Sequence, residues 1–177
     1  MQRKYVVIQD TREKLPLLLP KRMVMLDDTR PAHEKKAITV ELHTVRQKLP
    51  TGDYVLSGAE ATCIIERKGS LLEISKNCLH GGDRKRFIRE LVRLREETSH
   101  PVLVLEGSPA QLLDAGEGSL AVDALIRLLQ EYGVELLLLP SGIAKHRRAL
   151  GEWVARLLIN RTLHDNPSSH MAPLLHH

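Results

Sequence analysis

At 177 residues, 42% of them hydrophobic and 27% charged, the chain has the size and make-up of one globular domain with a real core, with or without a short appendage. Aromatic residues are only 3%, which leaves the core to Leu, Val and Ile and excludes the aromatic platform on which single-strand binders stack bases. The net charge of +4 is compatible with a nucleic-acid partner without requiring one.

The two cysteines, Cys63 and Cys78, form no metal motif. Cys63 lies in an apolar run and reads as a buried thiol. This usage suits a reducing cytoplasm. No signal peptide is apparent, and no apolar run is long enough to span a membrane.

In chain order, Tyr5 to Ile8 is a β-branched run and reads as a buried strand. It delivers Asp10, Thr11, Arg12 and Glu13 to its C-terminal end, where open α/β sheets build their sites. Asp10 followed by Glu13 equally fits a helix cap with its capping-box partner, so both readings stay open. Pro16 and Pro20 argue against a long helix directly after. Residues 21–37 lack a clean period and read as a loop with one helical turn, with His33 facing solvent. Ile38 to Leu49 alternates as a strand, with Val40 and Leu42 on one face and Glu41, His43 and Val45 on the other. Through Pro50 and Thr51 it leads into Gly52 and Asp53, so these first strands read as a meander.

Gly52 to Glu73 reads as a β-hairpin. Val55 and Leu56 close its first strand, Ser57 to Glu60 form the turn around Gly58, and Ala61 to Ile65 form the second strand. Asp53 and Glu66 then sit on neighbouring strands, and Arg67 and Lys68 follow at once. Side chains alternate along a strand, so Glu66 and Lys68 share a face and Arg67 takes the other. Two carboxylates suit a hard divalent cation that activates water against a phosphodiester. The lysine beside them can orient the water or steady developing negative charge. A charge cluster on a solvated hairpin end is the competing reading. The preceding Gly-Asp-Tyr and the apolar strand between the two acids weigh against it.

Gly69 to Leu79 has helical character, with Ser70 as cap and Glu73 three residues later. His80 to Asp83 reads as a flexible break. Arg84 to Glu97 is an amphipathic helix with Phe87, Ile88, Leu91 and Leu94 or Val92 on its apolar stripe. Arg84, Lys85 and Arg86 at its start point to a positive surface beside the site, whereas Arg93 and Arg95 read as an ordinary solvated face. Pro101 to Glu106 predicts a central parallel strand, and Ala110 to Leu113 a short helical piece. Ser119 to Tyr132 predicts a helix stopped by Gly133, and Val134 to Leu139 the last strand. Ile143 to Ile159 predicts a final helix, with His146, Arg147 and Arg148 exposed. Residues 1–163 form the expected domain, and 164–177 a disordered tail.

This order gives an α/β domain with a central mixed β-sheet flanked by helices. A hairpin carrying Asp and Glu-x-Lys, followed by a helix, is the layout of the restriction-endonuclease-like, PD-(D/E)xK fold. The chain resembles the nuclease domain of the XPF family of structure-specific DNA endonucleases. That family's signature is Gly-Asp, a gap, Glu-Arg-Lys, three residues, then Asp, with an Asp-x-Arg-Glu element upstream. Here Asp10 to Glu13, Gly52-Asp53 and Glu66-Arg67-Lys68 are the counterparts. Downstream, Arg86 starts the family's arginine-led helix and His100 to Gly107 matches its strand. The resemblance spans roughly residues 5–140. One position departs: Leu72 stands where the family has its last aspartate, and Glu73 follows it. Either Glu73 takes that role through a shift of the helix, or the position is dispensable.

The resemblance implies hydrolysis of DNA phosphodiesters, at branched or double-stranded sites, in repair or recombination. Asp53 and Glu66 would ligate Mg²⁺ (Mn²⁺ substituting), with Asp10 or Glu13 helping, and Lys68 would act on the water. Arg12, Arg67, Arg84 and Arg86 are the candidate DNA contacts, with Arg67 alternatively anchoring the hairpin. The chain has no room for the tandem helix–hairpin–helix module of larger members, so selectivity is expected to come from a partner subunit, from a second copy, or to be weak. Its compactness resembles prokaryotic or viral members, acting in the cytoplasm. Two other readings remain: a non-catalytic partner subunit of a nuclease pair, and a junction resolvase of the same fold.

Overall fold

The computed structural model describes residues 3–27, 30–140 and 144–165. Seven strands form one mixed sheet in the order β2-β3-β1-β4-β5-β6-β7. They are β1 (Arg3–Gln9), β2 (Arg22–Leu26), β3 (Ala37–Arg46), β4 (Tyr54–Leu56), β5 (Cys63–Lys68), β6 (His100–Glu106) and β7 (Glu135–Leu139). The helices are α1 (Leu71–Leu79), α2 (Gly81–Glu97), α3 (Pro109–Asp114), α4 (Ser119–Tyr132) and α5 (Ala144–Asp165). A short 3₁₀ turn spans Ala32–Glu34.

Strand alternation divides the core in two. On one face Val7, Tyr54, Cys63, Ile65, Val102 and Val104 pack against Leu150, Val154 and Leu158 of α5. On the other, Ile8, Val55, Ile64, Leu103 and Leu105 pack against α1 to α4 through Ile74, Phe87, Leu91, Leu112 and Leu125. The result is three layers, with a sheet whose central strands are buried on both faces and read as continuous apolar runs. Gly151 lets α5 come close to the chain after Pro16, since a Cβ there would lie 2.4 Å from the carbonyl oxygen of Leu18. Among the described residues no helix is long and apolar enough to cross a membrane.

Several expectations are corrected. The segment predicted as a loop contains β2, which pairs antiparallel with β3 and buries Met23 and Met25. The expected meander is absent: β1 lies between β3 and β4, parallel to the first and antiparallel to the second. The second hairpin strand begins at Cys63 rather than Ala61 and runs through Lys68. The break at His80 to Asp83 shrinks to His80 alone, which ends α1 and starts α2. The final helix extends to Asp165, past the expected start of the tail; the rest of that tail, and Ile143, lie outside the described residues.

Candidate metal and phosphate site

The site forms where β1, β4 and β5 meet. Asp53 is fixed through its own backbone, its N–H donating to the Ile65 carbonyl at 2.8 Å and its carbonyl accepting from the Asp10 N–H at 2.8 Å. Gly52 makes this approach feasible. Its φ is +73°, and a Cβ would sit 2.2 Å from the Ile64 side chain. Gly52→Ala is therefore expected to cost about 2 kcal/mol or more, from backbone strain plus the clash. Thermal unfolding checks this, and an unchanged melting temperature would contradict it.

Asp53, Val55, Ile64, Glu66 and Lys68 all belong to the sheet face that carries α1 to α4, as the alternation of the hairpin requires. The backbone N–H of Arg67 donates to Asp53 Oδ2 at 2.8 Å. Lys68 Nζ donates to Glu66 Oε1 at 2.7 Å and to Glu90 Oε1, from α2, at 3.0 Å. Two carboxylates thus hold one ammonium in a largely buried corner, with the Asp53 carboxylate within electrostatic reach, so that negative groups outnumber the ammonium there.

The ionisation of these groups follows. Burial pushes the Asp53 carboxyl up to about 6, against the opposing pull of the Arg67 N–H, with Glu13 adding repulsion and Lys68 relieving it. Burial and then the Asp53 charge raise Glu66 well above the usual range for a glutamate. Burial disfavours the Lys68 ammonium, but Glu66 and Glu90 outweigh it and hold that group above its ordinary value. Carboxylates so strained by their own charge fit a divalent cation, which would relieve the repulsion. Among the described residues no three His, Cys, Asp or Glu side chains form a ready-made metal cage. Two carboxylates with water and phosphate oxygens completing the shell are what Mg²⁺ commonly takes.

The raised Asp53 carboxyl sets a pH dependence. Between its unfolded value near 3.8 and its folded value near 6, the native state binds the extra proton. The metal-free protein is therefore expected to lose about 3 kcal/mol of stability as pH rises through that window, and Glu66 acts in the same sense. Asp53→Asn should remove Asp53's share and melt higher than the wild type at pH 8 without metal. Melting curves in a chelator between pH 4 and 8 test this. A wild type whose stability climbs steadily to pH 8, or an Asp53→Asn variant with the same profile, would contradict it.

The remaining predicted residues have other occupations. Asp10 is fully buried. Its Oδ1 accepts from the Arg12 backbone N–H at 2.6 Å and Arg12 Nε at 2.9 Å; its Oδ2 accepts from Arg12 Nη2 and the Leu49 N–H, both at 2.8 Å. The Arg12 side chain leads in holding its carboxyl down at about 2. No helix follows Asp10, so it caps none; it closes a turn and orients Arg12, whose side chain stays 58% exposed. Glu13 pairs with Arg67 Nη1 at 3.0 Å and accepts from the Leu15 N–H. Arg67 also bonds Glu106 and the Leu15 carbonyl, on the sheet face opposite Lys68. At 8% side-chain exposure it is a buried anchor rather than a DNA contact, the alternative its strand position allowed. Arg84 is half-buried; Arg86 pairs with Asp83 and is 68% exposed, one turn before Glu90 on the same helical face. Leu72 is 59% exposed, and Glu73, also exposed, gives its backbone N–H to the Ser70 cap.

Sequence reasoning missed Glu90. Its only signal is a helical position beside the apolar stripe, and Arg86, four residues before it, bonds Asp83. Comparison with solved structures finds XPF from Aeropyrum pernix at 22% identity and a TM-score of 0.56, covering 92% of this chain and 68% of that one. The same protein in complex with DNA matches at 21% identity and a TM-score of 0.57, over 88% and 66% of the two chains. These likenesses establish the fold: a mixed sheet flanked by helices, as in the XPF nuclease. No curated protein matches the sequence. The family model of the ERCC4 domain matches residues 28–156, a span that holds Gly52, Asp53, the Glu66-Arg67-Lys68 run and α2 with Glu90. By that match the chain belongs to the ERCC4-domain family, that of the XPF nuclease domain.

Proposed function

We propose that the chain is a metal-dependent DNA endonuclease. The observation that carries this reading is the gathering of Asp53, Glu66 and Lys68 on one sheet face, in a corner with surplus negative charge. Asp53 and Glu66 would hold Mg²⁺, with Mn²⁺ as a substitute; Asp10 and Glu13, already engaged by Arg12 and Arg67, shape the loop beside them. When bound, the cation supplies Lewis-acid polarisation of the phosphate. Lys68 orients the attacking water and offsets the charge that develops on the phosphate oxygens. Arg12, fixed by Asp10, and Arg86, on the Glu90 face of α2, offer exposed guanidinium groups to the phosphates on either side.

The substrate class proposed is branched or flap-bearing duplex DNA, met in repair or recombination within the cytoplasm. Family membership supports it, as does the DNA bound to the related XPF. This chain spans about two thirds of those structures' chains. A second copy or a partner subunit is part of the same proposal. Leu72, apolar where the family carries an acid, is what the non-catalytic partner reading has in its favour. The intact Asp53, Glu66 and Lys68 weigh against it.

Labelled linear duplex, flap, fork and four-way DNA, each with Mg²⁺ or Mn²⁺, test the proposal. Cutting of flap or fork is expected. Preference for the four-way substrate would instead indicate a junction resolvase. No cutting of any substrate by folded protein would favour the partner subunit.

A further inference from the structure

Lys68 is held from two sides, by Glu66 at 2.7 Å and by Glu90 at 3.0 Å. On the nuclease reading above, on which this inference rests, Glu66 is a cation ligand. Its oxygen would then be drawn from the ammonium toward the cation. Lys68 would lose the nearer of its two anchors at the stage when its position matters. A lysine carries its charge on a flexible four-carbon stem, so one lost anchor frees the head group. Glu90 is placed differently. It arises from α2, whose neighbouring Phe87, Leu91 and Leu94 are buried against the sheet, so its backbone is rigid. Its side chain is 23% exposed and accepts from the Lys68 ammonium. The position where the resemblance asks for an acid on α1 holds the exposed Leu72, so α1 supplies no carboxylate there.

We propose that Glu90 is a positioning residue: it keeps the Lys68 ammonium at the reacting phosphate once Glu66 has turned to the cation. A carboxylate from α2, rather than one from α1, completes the surroundings of the lysine in this chain. Glu90 ligates nothing itself in this account. It acts through Lys68.

The test uses the full chain with Glu90→Ala and Glu90→Gln. Glu90→Ala is expected to lower kcat roughly 100-fold, as a misplaced catalytic group does, while KM for DNA stays within about twofold. Glu90→Gln keeps an acceptor oxygen at the same reach and should recover at least about tenfold of that loss. Two readouts need no cleavage. Mn²⁺ affinity by calorimetry should be unchanged in Glu90→Ala and lost in Glu66→Gln. NMR of ¹⁵N-lysine ammonium groups should show a slowly exchanging Lys68 signal in the wild type with Mg²⁺, identified by its loss in Lys68→Arg and missing from Glu90→Ala. A Glu90→Ala variant with wild-type kcat and an intact ammonium signal would overturn the proposal. So would a tenfold or larger loss of Mn²⁺ affinity, which would make Glu90 a ligand. If the wild type cuts no DNA, the nuclease reading fails, and the ammonium signal still decides whether Glu90 anchors Lys68.

Discussion

Lys68→Ala is expected to lower DNA cleavage by about 1,000-fold, equal to roughly 4 kcal/mol of transition-state stabilisation. The size follows from where the ammonium sits. It lies between Glu66 and Glu90 in a corner with little water, where a fixed charge acts more strongly on a developing phosphate charge than it would in bulk solvent. The neighbouring cation on the same strand does not replace it. Arg67, the adjacent cation, faces the other side of β5 and is committed to Glu13 and Glu106. The substitution should leave Mn²⁺ binding in place, because Lys68 is not a ligand. Single-turnover cleavage and calorimetry on one preparation check both halves. Cleavage within tenfold of the wild type would remove Lys68 from the mechanism.

Arg67→Ala has the largest expected effect on stability. Arg67 is nearly inaccessible, and its guanidinium joins Glu13 from the loop after β1 to Glu106 at the end of β6. It also donates to the Leu15 carbonyl at 3.1 Å. Removing it strands two carboxylates in a buried setting. Breaking such a pair typically costs about 3–5 kcal/mol, a large share of a domain's total stability. A fall in melting temperature of about 10 °C is expected for a chain of this size. Arg67→Lys should fall between, since it keeps the charge and loses the two-sided fork. The backbone N–H that holds Asp53 survives both changes, so Mn²⁺ binding well below the melting point should persist. A melting temperature within 2 °C of the wild type in Arg67→Ala would show that the triad contributes little.

Local patterns in the sequence went far where the physics is local. Ser119 to Tyr132 is a helix at the predicted bounds because its apolar spacing and the following Gly133, at φ +63°, are both local signals. The opposed faces of Glu66 and Arg67 followed from strand alternation alone. The missed strand β2 shows the limit. Its exposed positions include Val24 and Leu26, so apolar residues occupy both faces and hide the alternation. The parallel pairing of β1 with β3 is a long-range choice that no window of sequence contains. Asp10 and Glu13 had capping-box spacing, yet no helix follows, and both acids serve arginines. Glu90 stayed hidden for the same reason as the pairing, because its partner Lys68 comes from a strand 22 residues away.

The most direct test of the central claim is Mg²⁺-dependent cleavage of flap DNA by the wild type and Asp53→Asn, purified side by side and both shown to be folded. On the proposed function the wild type cuts, a chelator stops it, and Asp53→Asn is inactive while melting above the wild type at pH 8 in chelator. An Asp53→Asn variant that cuts as well as the wild type, or wild-type cutting untouched by the chelator, would contradict the account.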